Sequence, residues 1–135
     1  MIRVLVTGAT GKMGRRVIDL VHADPELELV GAITHRTHPA LGRDAGELAG
    51  IGPLGVVLEH DCTRPLSQTH VIVDFSVAEA ALAYIHLAAA HTKAIVVGTT
   101  GFTVSQHEEI RRLSQNMPCL IAPNMSVGVN VMLHV

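Results

Sequence analysis

The chain is 135 residues long, 48% hydrophobic and 16% charged, which fits one folded domain, or one domain plus the start of another, and excludes a disordered or polyelectrolyte chain. Ten Lys and Arg against twelve Asp and Glu give a formal charge of -2, and aromatics are 2% with no Trp, so the composition offers no basic patch or stacking platform for nucleic acid. No apolar run reaches the roughly 18 residues that cross a bilayer, and the opening Met1-Ile2-Arg3-Val4-Leu5-Val6 has neither a basic leader nor a cleavage site. Two widely spaced cysteines, Cys62 and Cys119, do not make a disulfide framework. These features predict a cytoplasmic protein with no membrane and no nucleic-acid partner.

Short β-branched runs alternate with longer stretches of helical spacing. Strands are predicted at Arg3 to Val6, Leu29 to Ile33, Val56 to Leu58, Val71 to Phe75, Ala94 to Val97 and Cys119 to Ala122. They are apolar throughout, as parallel strands covered on both faces are. Between them Met13, Val17, Leu20 and Val21 repeat at helical spacing, as do Ala78, Leu82, Ile85 and Ala89, and then Ile110, Leu113 and Met117. Ser76 to Glu79 and Ser105 to Glu108 both fit the capping box, in which a hydroxyl and a carboxylate satisfy orphan amides reciprocally. From His35 to Pro53 the pattern lapses into a surface loop, with a single turn near Ala45 to Leu48. The alternation predicts an α/β fold, a Rossmann-type doubly wound parallel sheet with right-handed crossovers.

The turn Gly8-Ala9-Thr10-Gly11-Lys12-Met13-Gly14 follows the first strand and opens the first helix, the context in which a glycine triplet marks a dinucleotide site. Gly8 permits the tight turn. Gly11 lets backbone amides approach a diphosphate at the helix N-terminus, and Gly14 lets the helix pack closely. Lys12, inside the turn, can reach the phosphates. About twenty residues on, an acid would bind the ribose hydroxyls of NAD. Here the second strand ends at Ile33, and the next residue is Thr34, not an acid, followed by His35, Arg36 and His38. Without that carboxylate nothing repels a 2′-phosphate, and Arg36 can pair with one, so NADP(H) is favoured and NAD(H) stays open. Arg36 reads equally well as a solvated loop cation.

The other strand ends also carry small and polar residues: Asp74-Phe75-Ser76, Gly98-Thr99-Thr100-Gly101-Phe102 and Pro123-Asn124-Met125-Ser126. In an open α/β sheet the ligand lies outside these carboxyl ends, so one extended molecule can touch all of them. The two glycines after the fifth strand suggest close backbone approach to something flat.

The glycine turn, Asp44-Ala-Gly-Glu-Leu-Ala-Gly50, Gly98-Thr-Thr-Gly-Phe102 and Asn124-Met-Ser-Val-Gly-Val-Asn-Val-Met132, in this order and spacing, resemble dihydrodipicolinate reductase, also called 4-hydroxy-tetrahydrodipicolinate reductase. The resemblance covers essentially the whole chain. It implies a reductase of lysine and diaminopimelate biosynthesis that transfers a hydride from NADH or NADPH to a cyclic dicarboxylate, homo-oligomeric at full length. It also implies that Gly8 to Met13 hold the diphosphate, that Gly98, Thr99 and Thr100 flank the nicotinamide, and that Ala122, Pro123, Asn124 and Met125 lie along its ring. Thr34 and His35 fall where many members carry an acid and an Arg. The family's His-His…Lys…Asp-Ala-Pro-Ser-Gly-Thr motif of the substrate domain is not in this sequence, so no catalytic residue is assigned. The expected division is a dinucleotide-binding domain at 1–125 and, at 126–135, the first residues of a truncated substrate domain, giving a chain that binds cofactor without turnover.

Rival readings are the first domain of another nicotinamide dehydrogenase, acting on aspartate semialdehyde or homoserine, and a stand-alone nucleotide-sensing module. Nine histidines invite a metal, but no pair has zinc spacing backed by a second pair, and His86 and His91 do not share a helix face. Asp74 reads as a residue that orients neighbouring backbone rather than an acid or base. Cys62 has no evident partner base.

Overall fold

The computed structural model describes residues 1–121. Six parallel strands, β1 (Ile2–Thr7), β2 (Leu27–Ile33), β3 (Leu58–Glu59), β4 (Val71–Asp74), β5 (Ala94–Val97) and β6 (Cys119–Ile121), form one sheet in the order β3-β2-β1-β4-β5-β6. From β1 the chain winds first to β2 and β3, then returns to β4 and continues the other way. The order therefore reverses between β1 and β4, and a crevice opens above their carboxyl ends.

Alternation along each strand explains why the strands read apolar throughout. Val4, Val6, Val71 and Val73 face one layer, where helix α1 (Lys12–Ala23) contributes Val17, Ile18 and Val21. Leu5, Ile72 and Ile95 face the other, where α4 (Ala78–Ala90) presents Ala81, Ile85 and Ala88 and α5 (Val104–Leu113) adds Ile110. Both faces are thus dry, as the doubly wound fold requires.

Two short helices complete the chain. The turn expected near Ala45 to Leu48 is α2 (Ala45–Leu48), but its surroundings are more built than a surface loop: Ala40 and Ala45 lie in the core. Asp44 knits this loop, its carboxylate accepting the amides of Gly46 (2.8 Å), Glu47 (3.2 Å), Leu54 (3.0 Å) and Gly55 (2.8 Å). Those amides hold the Asp44 carboxyl below its ordinary value, the Leu54 bond foremost, against a smaller opposing effect of burial. The second, α3 (Thr63–Leu66), has no sequence expectation. It lays Pro65 against Gly31, where a methyl group would stand 2.9 Å from the proline ring.

Three expectations need correction. Ser105 does not cap α5; Thr103 does, its hydroxyl accepting the Gln106 amide (3.1 Å) while Gln106 accepts the Thr103 amide (2.8 Å). Ser76 does not cap α4, because its hydroxyl is drawn to Asp74; Val77 holds the cap position without a side-chain bond. The helical spacing read through Met117 ends sooner: α5 stops at Leu113, and Met117 is buried beyond it in the connection to β6.

Candidate functional site at the sheet switch point

The three glycines of the opening turn have different reasons to be glycine. Gly8 has φ +66, and a side chain there would strike the Phe75 carbonyl oxygen at 2.3 Å. A methyl on Gly14 would stand 2.0 Å from the Gly8 carbonyl oxygen, so at this position α1 packs against the turn itself. Gly11 is unlike both. A methyl there would meet only the Gly8 carbonyl oxygen at 3.5 Å, an ordinary contact, and its φ of -74 suits any residue. Gly11 is also the N-cap of α1 and makes no side-chain cap bond, so no cap satisfies the first amides of the helix, while its own amide donates to the Gly8 carbonyl (3.1 Å). Lys12 and Met13 are exposed in this first turn, and Ala9 is fully buried, with its amide on the Ile33 carbonyl (3.0 Å).

A cleft of about 240 Å³ opens at the reversal point, lined by Gly8, Thr10, Gly11, Thr34, His35 and Phe75, with Ser76, Val77, Ala80 and Tyr84 closing the far side. The ends of β1, β2 and β4 therefore meet in one place, as expected. Thr10 and Thr34 share a hydroxyl–hydroxyl bond of 2.8 Å, which ties the glycine turn to the end of β2. Thr34 is buried and its amide donates to Glu59 of β3 (2.9 Å), so no acid stands at the end of β2. His35 lines the cleft and lies edge-on to His38, ring centroids 5.0 Å apart. Arg36 is exposed beside them and forms no ion pair among the described residues.

At the ends of β4 and β5, Asp74 is fully buried and accepts hydroxyls from Thr7 (2.5 Å), Ser76 (2.6 Å) and Thr99 (2.6 Å). Thr99 is buried, with its hydroxyl turned into the protein; Thr100 is exposed. The flat object that Gly98 accommodates belongs to the chain itself. A methyl on Gly98 would lie 2.1 Å from the Phe75 ring, and the Gly98 amide donates to the Asp74 carbonyl (2.8 Å). Gly98 and Thr99 are thus joined to the cleft through Phe75 and Asp74 rather than lining it, and Thr100 does not line it either. Ala122, Pro123, Asn124 and Met125 lie outside the described residues.

The sequence reading missed the apolar wall made by Val77, Ala80 and Tyr84. Their spacing of three and then four places them along one face of α4, and that periodicity was the available signal. Burial, with the nearby Cys62 and Asp74 charges, pushes the Tyr84 phenol up to about 12. Burial likewise raises the Cys62 thiol, which argues against a reactive thiolate there.

Comparison with known proteins gives this arrangement a family. A family model described as "Dihydrodipicolinate reductase, N-terminus" matches residues 2–125. The chain belongs to the dihydrodipicolinate reductase family. The 4-hydroxy-tetrahydrodipicolinate reductase of Syntrophus aciditrophicus (strain SB) is 43% identical over 132 residues, covering 98% of this chain and 49% of that protein. That of Syntrophotalea carbinolica is 45% identical over 130 residues, covering 96% and 49%. Among solved structures, the dipicolinate-bound dihydrodipicolinate reductase from Paenisporosarcina sp. TG-14 superposes with a TM-score of 0.74 at 26% identity, covering 98% of this chain and 51% of that one. The chain therefore spans about half the length of the family members it matches, their N-terminal half. Membership of this family sets aside the semialdehyde and homoserine dehydrogenase readings. Among the described residues no helix is long and apolar enough to cross a membrane.

Proposed function

We propose that this chain is the nucleotide-binding half of a 4-hydroxy-tetrahydrodipicolinate reductase and holds a nicotinamide dinucleotide across the carboxyl ends of β1, β2, β4 and β5. The observation that carries this reading is Gly11. Gly8 and Gly14 are required by the chain's own packing, whereas a side chain at Gly11 would meet only an ordinary contact and would adjoin the uncapped amides of α1. A diphosphate is the group that fits: it needs close backbone approach, several N–H donors and the positive end of a helix. Lys12 and Met13 stand where they flank it, and Ala9 and Thr10 shape the floor.

The cleft is of the order of one nucleoside, so the adenosine half sits among Thr10, Thr34 and His35 with Phe75, Val77, Ala80 and Tyr84 as its apolar wall. The preferred form is NADP(H), with NAD(H) accepted more weakly. Thr34 is buried and bonded to Thr10, no acid replaces it at the end of β2, and Arg36 stands unpaired among the described residues beside the position a 2′-phosphate takes. Gly98, Thr99 and Thr100, together with Ala122, Pro123, Asn124 and Met125, form the nicotinamide end. When bound, the reduced cofactor supplies a hydride. The acceptor in the whole reductase is a cyclic dicarboxylate of lysine and diaminopimelate biosynthesis, a class supported by the dipicolinate named with the Paenisporosarcina structure. Substrate contacts and proton donation belong to the half of the family length beyond this chain, so the chain alone binds without turnover. The boundary between the two parts falls near residues 125–126.

Calorimetric titration tests this. NADPH binds at 1:1 stoichiometry and more tightly than NADH, and Arg36→Ala weakens NADPH about tenfold while leaving NADH within twofold. Equal loss for both cofactors removes the phosphate role of Arg36; no binding of either removes the whole proposal.

A further inference from the structure

Asp74 ends β4 beside the switch point and is 0% exposed. A carboxylate is an expensive way to fill a sheet end, because burial without a full set of donors costs several kcal/mol. Here every donor is supplied. Its two oxygens serve different parts of the site. Oδ1 accepts the hydroxyls of Thr7 (2.5 Å) and Ser76 (2.6 Å) and, at 3.3 Å, the Ser76 amide. Thr7 immediately precedes the glycine turn and Ser76 lines the cleft, so this oxygen belongs to the adenosine and diphosphate side. Oδ2 accepts the Thr99 hydroxyl (2.6 Å), which belongs to the exit of β5; that hydroxyl has the Ser76 carbonyl as a second acceptor at 3.2 Å.

Among the described residues no cation pairs with Asp74. The donors converging on it are neutral hydroxyls and an amide, drawn from the ends of three adjacent strands. Asp is suited to this junction because it accepts on both oxygens and brings no donor of its own; Asn of the same size turns one acceptor into an NH₂. Phe75, seated on Gly98, closes the same gap with apolar contact but carries no directional bond between the two loops.

We propose that Asp74 is a positioning residue for the dinucleotide. Through Thr99 it sets where the β5 exit stands relative to the glycine turn, and so governs the fit of the nicotinamide half without touching the ligand. This rests on the nucleotide-binding reading above. If the Oδ2 arm is cut, the β5 exit spends less time in the binding-competent position, and apparent affinity falls by that fraction. The loss falls on the complete dinucleotide. A fragment that ends at the second ribose, 2′-phospho-ADP-ribose, does not reach the β5 exit and is spared.

The test is calorimetric titration of the chain with NADPH and with 2′-phospho-ADP-ribose. Thr99→Val removes the hydroxyl from the Oδ2 arm and is expected to weaken NADPH about tenfold, about 1.4 kcal/mol, with the fragment within twofold. Thr99→Ser returns the hydroxyl and restores affinity for NADPH. Asp74→Asn keeps an oxygen for Thr7 and Ser76 and turns an NH₂ toward Thr99, whose hydroxyl accepts it while donating to the Ser76 carbonyl, so the arm is reversed rather than cut and NADPH affinity stays within about threefold of the parent. The double variant Asp74→Asn/Thr99→Val loses no more than Thr99→Val alone, because the arm is already gone. Parallel loss of NADPH and fragment in Thr99→Val assigns the junction to general stability and overturns the proposal, as does unchanged NADPH affinity in that variant. A wild-type chain that binds neither molecule overturns the nucleotide reading itself, a result distinct from either of those.

Discussion

Alanine at Gly14 and at Gly11 should separate what the fold requires from what the ligand requires. At Gly14 the added methyl would stand 2.0 Å from the Gly8 carbonyl oxygen, 2.8 Å from its carbon and 2.9 Å from the Ala9 Cα. All three are backbone atoms, so no rotamer relieves the overlap. Either α1 lifts by about an ångström, opening the packing of Val17, Ile18 and Val21, or the turn itself shifts. Alanine's better helix propensity returns about 1 kcal/mol, against overpacking strain of about 3 kcal/mol or more. The net cost, about 2 kcal/mol or more, lowers Tm by roughly 6–10 °C for a domain of this size. At Gly11 the methyl meets one atom at 3.5 Å and the backbone angles already suit alanine, so stability stays within about 1 kcal/mol of the parent. Cofactor affinity nonetheless falls tenfold or more, because the methyl occupies the space through which a diphosphate approaches the amides. Thermal unfolding followed by circular dichroism, with NADPH titration on the same samples, reads both effects. A Gly11→Ala chain that binds NADPH as the parent does, or a Gly14→Ala chain of parental stability, refutes the reasoning.

Asp44→Ala leaves the amides of Gly46, Glu47, Leu54 and Gly55 without their acceptor and is expected to cost about 2–3 kcal/mol in urea unfolding, with backbone exchange quickening over the loop from Gly42 to Gly55. His70 Nδ1 accepts the Arg3 amide (3.0 Å), and burial, then the Arg3, Lys93 and amino-terminal charges, lowers its pKa from the ordinary 6.5. The folded state thus favours neutral His70, whose contribution is complete above pH 6.5 and is lost as pH falls through the lowered value. His70→Asn, a non-titrating acceptor, is expected to flatten the fall in urea midpoint between about pH 7 and 5. Tyr84 is the single tyrosine in a chain without Trp, so absorbance at the phenolate band reads it alone. Ionisation is expected near pH 12 in the folded chain and near 10 in urea, with Tyr84's stabilising contribution present below 10 and lost as pH rises toward 12.

Most of the architecture was legible because both faces of the sheet are dry. Runs such as Val71 to Asp74 and Ala94 to Val97 have no polar alternation, and only parallel strands between two helical layers ask for that. What escaped reading depends on where a neighbour's side chain points or on partners far along the chain. Ser76 looks like a helix cap until Asp74, two residues earlier but pointing inward, takes its hydroxyl. The pair of glycines after β5 looked like room for a ligand, yet Gly98 makes room for Phe75, a contact across two strands. Tyr84 joins the cleft only because α4 crosses beside the glycine turn. In the glycine turn the motif located the site, but the separate reasons for Gly8, Gly11 and Gly14 emerged only from the distances around them.

The most direct test of the central claim is to follow the backbone amides of Gly11, Lys12 and Met13 by nuclear magnetic resonance in the ¹⁵N-labelled chain. ADP-ribose, which carries the diphosphate, should shift these signals strongly, while adenosine, which lacks it, should move the signals of Thr34, His35 and Tyr84 and leave the helix start unchanged. Amides at Gly11 to Met13 that stay still while ADP-ribose binds elsewhere would contradict the account.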